Sequence, residues 1–437
     1  MSIYLKDVQN PSQQASISRS SRKPLNLSEK LISSLIVQLV SGILICGLLP
    51  AMVRWGGGLL VEPSPGQIAS ILGAAIAYSL GLLIIRRLTD FPGVQATSYI
   101  VPSFIGSFAL LVAIMFFWRI EFTRYQIIIG LLLAIGWAYV LFLAMRRSQL
   151  LHLNVIPFGN FSVLMKEKGA LWHLMEEPEF NQLRGQAVVA DLRADIPAEW
   201  ERFLAQCALK SIPVYHIKQI AESLTGRVQI EHLSENNLGS LLPSTGYLQI
   251  KAILDITMAL MVLPVLVPCM LFLGLAIRLT SPGPALFRQT RMGYRGETFT
   301  MYKFRSMRQS DDWQGYTQED DPRITSIGRV IRKYRIDELP QIINILRGEM
   351  SWIGPRPEAL ELSEWYDREI PFYSYRHIVR PGISGWAQVQ QGSVAEVDDV
   401  AHKLHYDFYY IKHFSAWLDL LLVLKTVKTV LTGFGAR

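Results

Sequence analysis

Lys251-Ala-Ile-Leu-Asp-Ile-Thr-Met-Ala-Leu-Met-Val-Leu-Pro-Val-Leu-Val-Pro-Cys-Met-Leu-Phe-Leu-Gly-Leu-Ala-Ile-Arg278 is the stretch on which the fold turns. As a helix it is long enough to cross a hydrocarbon core of about 30 Å. It differs from an ordinary span in carrying Asp255 near its start and Pro264 and Pro268 in its middle. An interior proline removes one helix hydrogen bond and crowds the preceding turn, so a bend or break is expected at 264–268. A straight crossing would put residues 279–437 on the far side of the membrane. A re-entrant hairpin over 252–277 would return the chain to the face it left. Lys251 and Arg278 flank the run equally, so charge does not decide; the prolines favour re-entry.

Upstream, four more apolar runs stand near 31–53, 66–85, 99–118 and 125–145, which predicts four transmembrane helices within 31–147. Lys6, Arg19, Arg22, Lys23 and Lys30 precede the first run, Arg86 and Arg87 follow the second, and Arg146 and Arg147 follow the fourth. The opposite flanks carry only Arg54, Arg119 and Arg124. Positive flanks stay inside, so the N-terminus, the 86–98 loop and the chain after 147 are expected in the cytoplasm. Composition agrees. Half of the 437 residues are hydrophobic, only 18% are charged, and the mean hydropathy is +0.24, a balance that suits a partly embedded protein. The net charge of +7 suits anionic headgroups or phosphate substrates, and no nucleic-acid-binding signature accompanies it. Residues 1–30, rich in Ser, Gln, Asn and Pro, read as a retained, disordered cytoplasmic tail. Cys46, Cys207 and Cys269 have no CxxC partner, which argues against a disulfide framework or a cysteine-built zinc site.

Residues 148–245 read as a small Rossmann-like α/β domain. Leu153-Asn-Val-Ile156, Ala187-Val-Val-Ala190 and Ile212-Pro-Val-Tyr-His216 have strand character, and Ala198 to Lys210 has helical character. Strand and helix in alternation predict a parallel sheet. The turn after the first strand is Pro157-Phe-Gly159, without the G-x-G-x-x-G of a dinucleotide site, so a scaffold or regulatory role is expected.

Beyond the fifth run, residues 279–437 read as a compact basic domain, the body of a C-terminal domain that spans 246–437 with the re-entrant segment 252–277. It opens with Ser281-Pro-Gly-Pro284 and closes on Trp417 to Leu431, an apolar segment that suits either an interfacial helix or a core helix. Its chemistry concentrates at Ile331-Arg-Lys-Tyr-Arg-Ile-Asp-Glu-Leu-Pro-Gln341. Asp337 and Glu338 can approach one cavity from a helix end, one taking a proton or attacking, the other holding a hard cation. An acidic pair alone is usually a solvated helix face. Here Arg332, Arg335, Arg356 and Arg380 surround it in sequence, and Lys303 adds a point charge. Gly354-Pro-Arg-Pro357 and Arg380-Pro-Gly382 restrict their arginines, which lowers the entropy lost on binding phosphate. Asp311-Asp312 and Glu319-Asp320-Asp321 read as a solvated loop. His402 and His405 lack a third metal ligand.

Residues 248–437 resemble the monotopic polyprenyl-phosphate phosphoglycosyl transferases, the bacterial sugar transferases. The matching stretches are Lys251 with Asp255, Ser281 to Phe287, Gln289, Arg291-Met-Gly293, Tyr302-Lys-Phe-Arg-Ser-Met307, Arg329 to Gln341, Gly348 to Pro357, Arg380 to Val389 and Tyr406-Asp-Phe-Tyr-Tyr410. Four spans and a middle α/β domain are similar to the large subgroup, in which a likeness to dimeric members implies a homodimer. The resemblance implies transfer of a sugar-1-phosphate from a UDP-sugar, with glucose or galactose expected, to undecaprenyl phosphate, with release of UMP. It implies the first membrane step of O-antigen, capsule or exopolysaccharide synthesis, on the cytoplasmic face of the inner membrane. It implies Asp337 as nucleophile, Glu338 as its metal-linked partner, Mg2+ as cofactor, and Lys303, Arg332, Arg356 and Arg380 at phosphate-binding positions, with Asp407 a further candidate. The family breaks its re-entrant helix at Ser-Pro, where this chain has Val267-Pro268 and an extra Pro264. Two other readings stand beside this one: direct transfer in a ternary complex with Asp337 as base, and an inactive scaffold or regulator of polysaccharide assembly.

Overall fold

The computed structural model describes residues 31–56, 63–92, 94, 96–145, 151–167, 169–230, 242–308, 321, 323–391 and 397–432. The expected tail and the acidic residues 311, 312, 319 and 320 lie outside them. The molecule is mostly helical with α/β parts, and its residues cluster into two units: 1–85 with 96–224, and 86–95 with 225–437.

In the first unit the apolar runs are helices: α1 (Leu35–Trp55), α2 (Pro65–Thr89), α3 (Ala96–Phe117) and α4 (Arg124–Met145). Each is long and apolar enough to cross a membrane. α1 is not regular. A π turn, Ile43–Leu48, interrupts it just before Pro50. Proline cannot donate to the carbonyl four residues back, and a wider turn is one way to absorb that loss. The buried Gln126 of α4 donates Nε2 to the Gly47 carbonyl at 2.7 Å, so the irregular backbone is served by a side chain. Tyr78 stacks on Phe104 at 5.6 Å in the middle of the bundle and donates its hydroxyl to the Gln38 carbonyl.

The same unit contains a four-stranded parallel sheet of β1 (Leu151–Val155), β2 (Ala170–Leu174), β3 (Ala187–Ala190) and β4 (Val214–His216), in the order β2-β1-β3-β4. The predicted parallel sheet is therefore present. β2 carries too little periodicity to be visible in sequence, with only intermediate or exposed positions. β3 is buried at all four positions, as a central parallel strand requires. α5 (Ala198–Leu209) covers one face through Trp200, Phe203 and Leu204, and α6 (Ile217–Thr225) covers the other through Ile217 and Ile220.

Residues 225–230 cluster with the second unit: the indole of the buried Trp386 donates to the Gly226 carbonyl, and the Val228 amide donates to the His405 carbonyl.

The fifth apolar run is α7 (Thr245–Thr280), a single helix of 36 residues with Pro264 and Pro268 inside it, so the helix continues through the expected point of bending at 264–268. The prolines are four residues apart and both exposed, so the carbonyls they leave without donors, on Leu260 and Pro264, fall on one outward strip. Inward positions stay continuous: Lys251, Asp255, Ala259, Leu263, Leu266, Met270, Leu273 and Ile277 recur every three or four residues and pack on the rest of the unit. Both ends are held by it. Lys251 Nζ lies 2.6 Å from Asp419 Oδ2, and Ile277 packs with Phe304 and Ile331. The opposite flank leaves Leu260, Met261, Val265, Leu271, Phe272 and Leu275 uncovered.

The remaining elements are the hairpin β5 (Leu286–Met292) and β6 (Thr298–Phe304), α8 (Ser326–Lys333), a 3-10 turn at Ile336–Gln341, α9 (Ile342–Leu346), the parallel pair β7 (Ser351–Ile353) and β8 (Gly382–Ser384), α10 (Leu360–Glu369), α11 (Trp386–Gln390), α12 (Val397–Lys412) and α13 (Ala416–Thr432). α13 resolves the open choice at the C-terminal segment. Leu418, Leu421 and Leu422 are fully buried, so one side of it is core, while Trp417, Val423 and Val427 remain uncovered.

Candidate active site

Asp337 and Glu338 sit in the first turn of the 3-10 segment Ile336–Gln341. Arg335, immediately before it, has φ 55° and ψ 25°, a left-handed conformation that costs a non-glycine residue about 1 kcal/mol or more. That residue lets α8 stop and the chain turn at once into the 3-10 segment, which aims the two carboxylates differently. Glu338 points inward and is 5% exposed; Asp337 is half-buried.

Two cations close on Glu338. Arg356 Nη2 donates to Oε1 at 2.7 Å, and Lys303 Nζ, on β6, reaches the same oxygen at 3.4 Å. The other oxygen, Oε2, is buried and has no hydrogen-bond partner among the described residues. Burial alone would raise the Glu338 pKa, but Arg356 and Lys303 outweigh it and hold the carboxyl well below the usual range. Asp337 goes the other way. Burial, then the charge on Glu338, push it up to about 6, with Lys303, Arg356 and Arg332 only partly opposing. Burial also lowers Lys303 to about 8. Two adjacent carboxyls thus become one fixed anion and one poorly stabilised anion, and the second is the better base and nucleophile.

Arg356 owes its position to a backbone crossing. The Gly354 amide donates to Ser384 O at 2.8 Å, and the Gly382 amide donates to Pro355 O at 3.0 Å. A Cβ on Gly382 would overlap the backbone of Gly354, so the two rigid motifs Gly354–Pro357 and Arg380–Gly382 meet only because both crossing residues are glycine. Behind this loop lies a second charged layer. Arg376, 3% exposed, donates Nη2 to the Arg356 carbonyl at 2.8 Å and pairs with Asp407 Oδ2 at 2.9 Å. It also donates Nη1 to the Tyr373 hydroxyl. Glu358 accepts from Lys403 Nζ at 2.6 Å and lies 4.0 Å from Arg291 Nη1. Burial raises the Glu358 pKa less than Lys403 and Arg376 lower it, so this carboxyl stays near 2.

The predicted site residues therefore divide. Asp337, Glu338, Lys303 and Arg356 come together. Arg332, on α8, acts on Asp337 through its charge and donates Nη1 to Met307 Sδ at 3.2 Å. Arg380 is held elsewhere, with Nε on the Gly348 carbonyl at 2.9 Å and its guanidinium over the Tyr294 ring. Asp407 belongs to the second layer, committed to Arg376 rather than to the carboxylate pair. Pro264 and Pro268 lie on the exposed strip of α7. Sequence reasoning missed Arg376, Glu358 and Lys403. Glu358 directly follows Gly354–Pro357 and so was visible as a neighbour; Arg376 and Lys403 carry no local signal.

The metal expectation can be compared with these groups. Among the described residues no cluster of three His, Cys, Asp or Glu side chains forms a protein-only cage. Magnesium does not need one, because it is commonly held by one or two carboxylates together with substrate phosphates and water. The unpartnered Glu338 Oε2, with Asp337 beside it, fits that donor set.

Comparison with known proteins gives concordant findings. A family model described as bacterial sugar transferase matches residues 246–433. A UDP-N-acetylgalactosamine-undecaprenyl-phosphate N-acetylgalactosaminephosphotransferase of Aeromonas hydrophila is 47% identical over 399 residues, covering 91% of this chain and 94% of that one. A UDP-glucose:undecaprenyl-phosphate glucose-1-phosphate transferase of Caulobacter vibrioides is 42% identical over 190 residues, 43% of this chain and 71% of that one. The protein of the same description from Escherichia coli is 41% identical over 177 residues, 40% of this chain and 38% of that one.

Proposed function

This chain belongs to the bacterial sugar transferase family and is a transferase, and we propose that it moves a sugar-1-phosphate from a UDP-sugar to undecaprenyl phosphate at Asp337. The observation that carries this reading is the division of labour between adjacent carboxyls: Glu338 is locked to Arg356 and Lys303, while Asp337 makes no hydrogen bond or ion pair to any described residue and titrates near 6.

In this reading the Asp337 carboxylate attacks the phosphorus that bears the sugar. The bond from that phosphorus to the bridging oxygen breaks, and UMP leaves with the oxygen and its electron pair. The phosphate of the lipid carrier then attacks the same phosphorus. The acyl phosphate bond breaks, and its electrons return to the Asp337 carboxylate. Lys303 and Arg356 offset charge on the phosphoryl oxygens, and Arg376 and Asp407 hold the Arg356 backbone in place. Magnesium, held by Glu338 Oε2 and Asp337, would add further neutralisation of that charge when bound. Arg380 and Arg332 lie outside the immediate cluster and suit the more distant phosphate of the donor.

The donor we propose is UDP-N-acetylgalactosamine, in place of the glucose or galactose expected from sequence. The relative that aligns across both units carries that substrate in its description, whereas the glucose transferases align over about two fifths of the chain. We place the transferase unit on the cytoplasmic face of the inner membrane. Supporting this, Arg86 and Arg87 close α2 and Arg146 and Arg147 follow the fourth apolar run, and positive flanks stay inside. The uncovered apolar flank of α7 would lie in the bilayer and keep the unit at its surface.

The test is a donor panel. Membranes containing the protein are given radiolabelled UDP-N-acetylgalactosamine, UDP-N-acetylglucosamine, UDP-glucose or UDP-galactose with undecaprenyl phosphate. The expected result is UMP release and label in the lipid fraction with the first donor. Without acceptor, label should remain on the wild-type protein and be absent from Asp337→Asn. Turnover with no trapped label would favour direct transfer. No UMP from any donor, with polysaccharide assembly intact in cells carrying Asp337→Asn, would favour the scaffold reading.

A further inference from the structure

Gln341 closes the same 3-10 turn that presents the carboxylates. It is 1% exposed, and its Nε2 is buried with no hydrogen-bond partner among the described residues. An amide taken out of water without a partner is unfavourable, so natural cores seldom contain one without a compensating ligand or water. Residues three apart eclipse in a 3-10 helix, which puts Gln341 on the same side of the turn as Glu338. Glu338 Oε2 is likewise buried and unpartnered. A donor and an acceptor thus share one side of a single turn and leave each other unbonded.

We propose that the Gln341 side-chain amide is a substrate-binding group whose Nε2 donates to a phosphoryl oxygen of the sugar phosphate during transfer. This rests on the function proposed above. The buried donor calls for an acceptor, and Lys303 and Arg356, both on Glu338, mark this side of the turn as the place where phosphoryl oxygen is received. A neutral donor has a specific advantage there. Lys303, Arg356 and Arg332 already bring positive charge to the pair, and an amide binds the oxygen without adding to it.

The experiment uses the full-length protein in membranes, with UDP-N-acetylgalactosamine as donor and thermal unfolding measured on the same preparations. Gln341→Met keeps the volume and removes the amide. Its kcat/KM should fall about 10- to 100-fold, the scale of one hydrogen bond to a charged group, while Tm stays at or above the wild-type value. Gln341→Glu presents a carboxylate to the phosphate and should lose more activity than Gln341→Met. The inference is overturned if Gln341→Met stays within threefold of wild type, if its Tm drops along with its activity, or if Gln341→Glu is as active as wild type. These results are read against wild-type UMP release in the same assay: failure of the wild type itself counts against the proposed function, and failure confined to the variants' pattern counts against Gln341 alone.

Discussion

The parallel sheet of the first unit and the transferase unit solve the problem of an interior in opposite ways. Around the sheet, Val188, Val189, Ile156, Phe203 and Cys207 make an apolar core, and the polar side chain fully inside it, Asn154, is satisfied by backbone at Ala187, Arg184 and Gly185. The transferase unit instead buries Lys251, Asp255, Glu338, Arg376, Lys403, Asp407 and Asp419. Charged side chains there do part of the work that apolar packing does around the sheet. Burying charge is unfavourable unless every partner is present. The gain is a set of guanidinium, ammonium and carboxylate groups held at fixed distances before any substrate arrives, which is what phosphoryl transfer needs. The sheet carries no comparable constellation among the described residues, and its regularity has no such competing demand.

The largest effect that separates the two regions should come from Asp407→Asn. It leaves the buried Arg376 guanidinium with Glu358, 3.9 Å away, as its remaining carboxylate, and we expect a loss of about 3 kcal/mol in unfolding free energy, read by denaturant titration of the purified protein. A loss under about 1 kcal/mol would mean that the second layer is not the support described here.

Next comes pH, which probes the first layer. Asp337 must be ionised to attack, and its pKa is raised to about 6, so kcat/KM should fall about tenfold per unit below that value. Lys303 must be protonated to offset phosphate charge, and its pKa is lowered to about 8, so the rate should fall again above it. A profile flat from pH 5 to 9 would contradict both assignments.

The smallest effect should be Asp191→Asn in the sheet. Asp191 Oδ2 accepts from the Asn160 amide at 3.1 Å, and Oδ1 lies 3.6 Å from His216 Nε2. We expect about 1 kcal/mol of stability to be lost and kcat/KM to stay unchanged. A tenfold fall in kcat/KM would show that the sheet contributes to catalysis and would erase the contrast drawn here.

Legibility in the sequence followed the range of the interactions. β3 was readable because a central parallel strand must be apolar at every position, and Ala187-Val-Val-Ala190 is. β2, at the sheet edge, is Ala170-Leu-Trp-His-Leu174, whose half-exposed pattern obeys no period. The π turn in α1 was missed although Pro50 announced a lost hydrogen bond, because the side chain that serves the irregular backbone there, Gln126 on the Gly47 carbonyl, comes from another helix. The continuity of α7 through Pro264 and Pro268 likewise rests on distant contacts. Local rules see two lost donors, but not the inward stripe from Lys251 to Ile277 that packs along its whole length.

What the sequence determined by itself was whatever depends on neighbours along the chain: five apolar helices, the strand and helix alternation, the rigid settings of Arg356 and Arg380, and the acidic pair. The tertiary structure alone decided which charges meet. Arg376, from the turn Tyr373–Ile378, meets the Arg356 carbonyl and Asp407, and Lys403, on α12 with Asp407, meets Glu358; burial against Arg356 and Lys303 makes Glu338 a fixed anion, and burial beside Glu338 makes Asp337 a basic one. The physical reason is that a carboxyl's protonation is set by the dielectric and the charges within a few ångströms, and those are fixed by packing rather than by position in the chain.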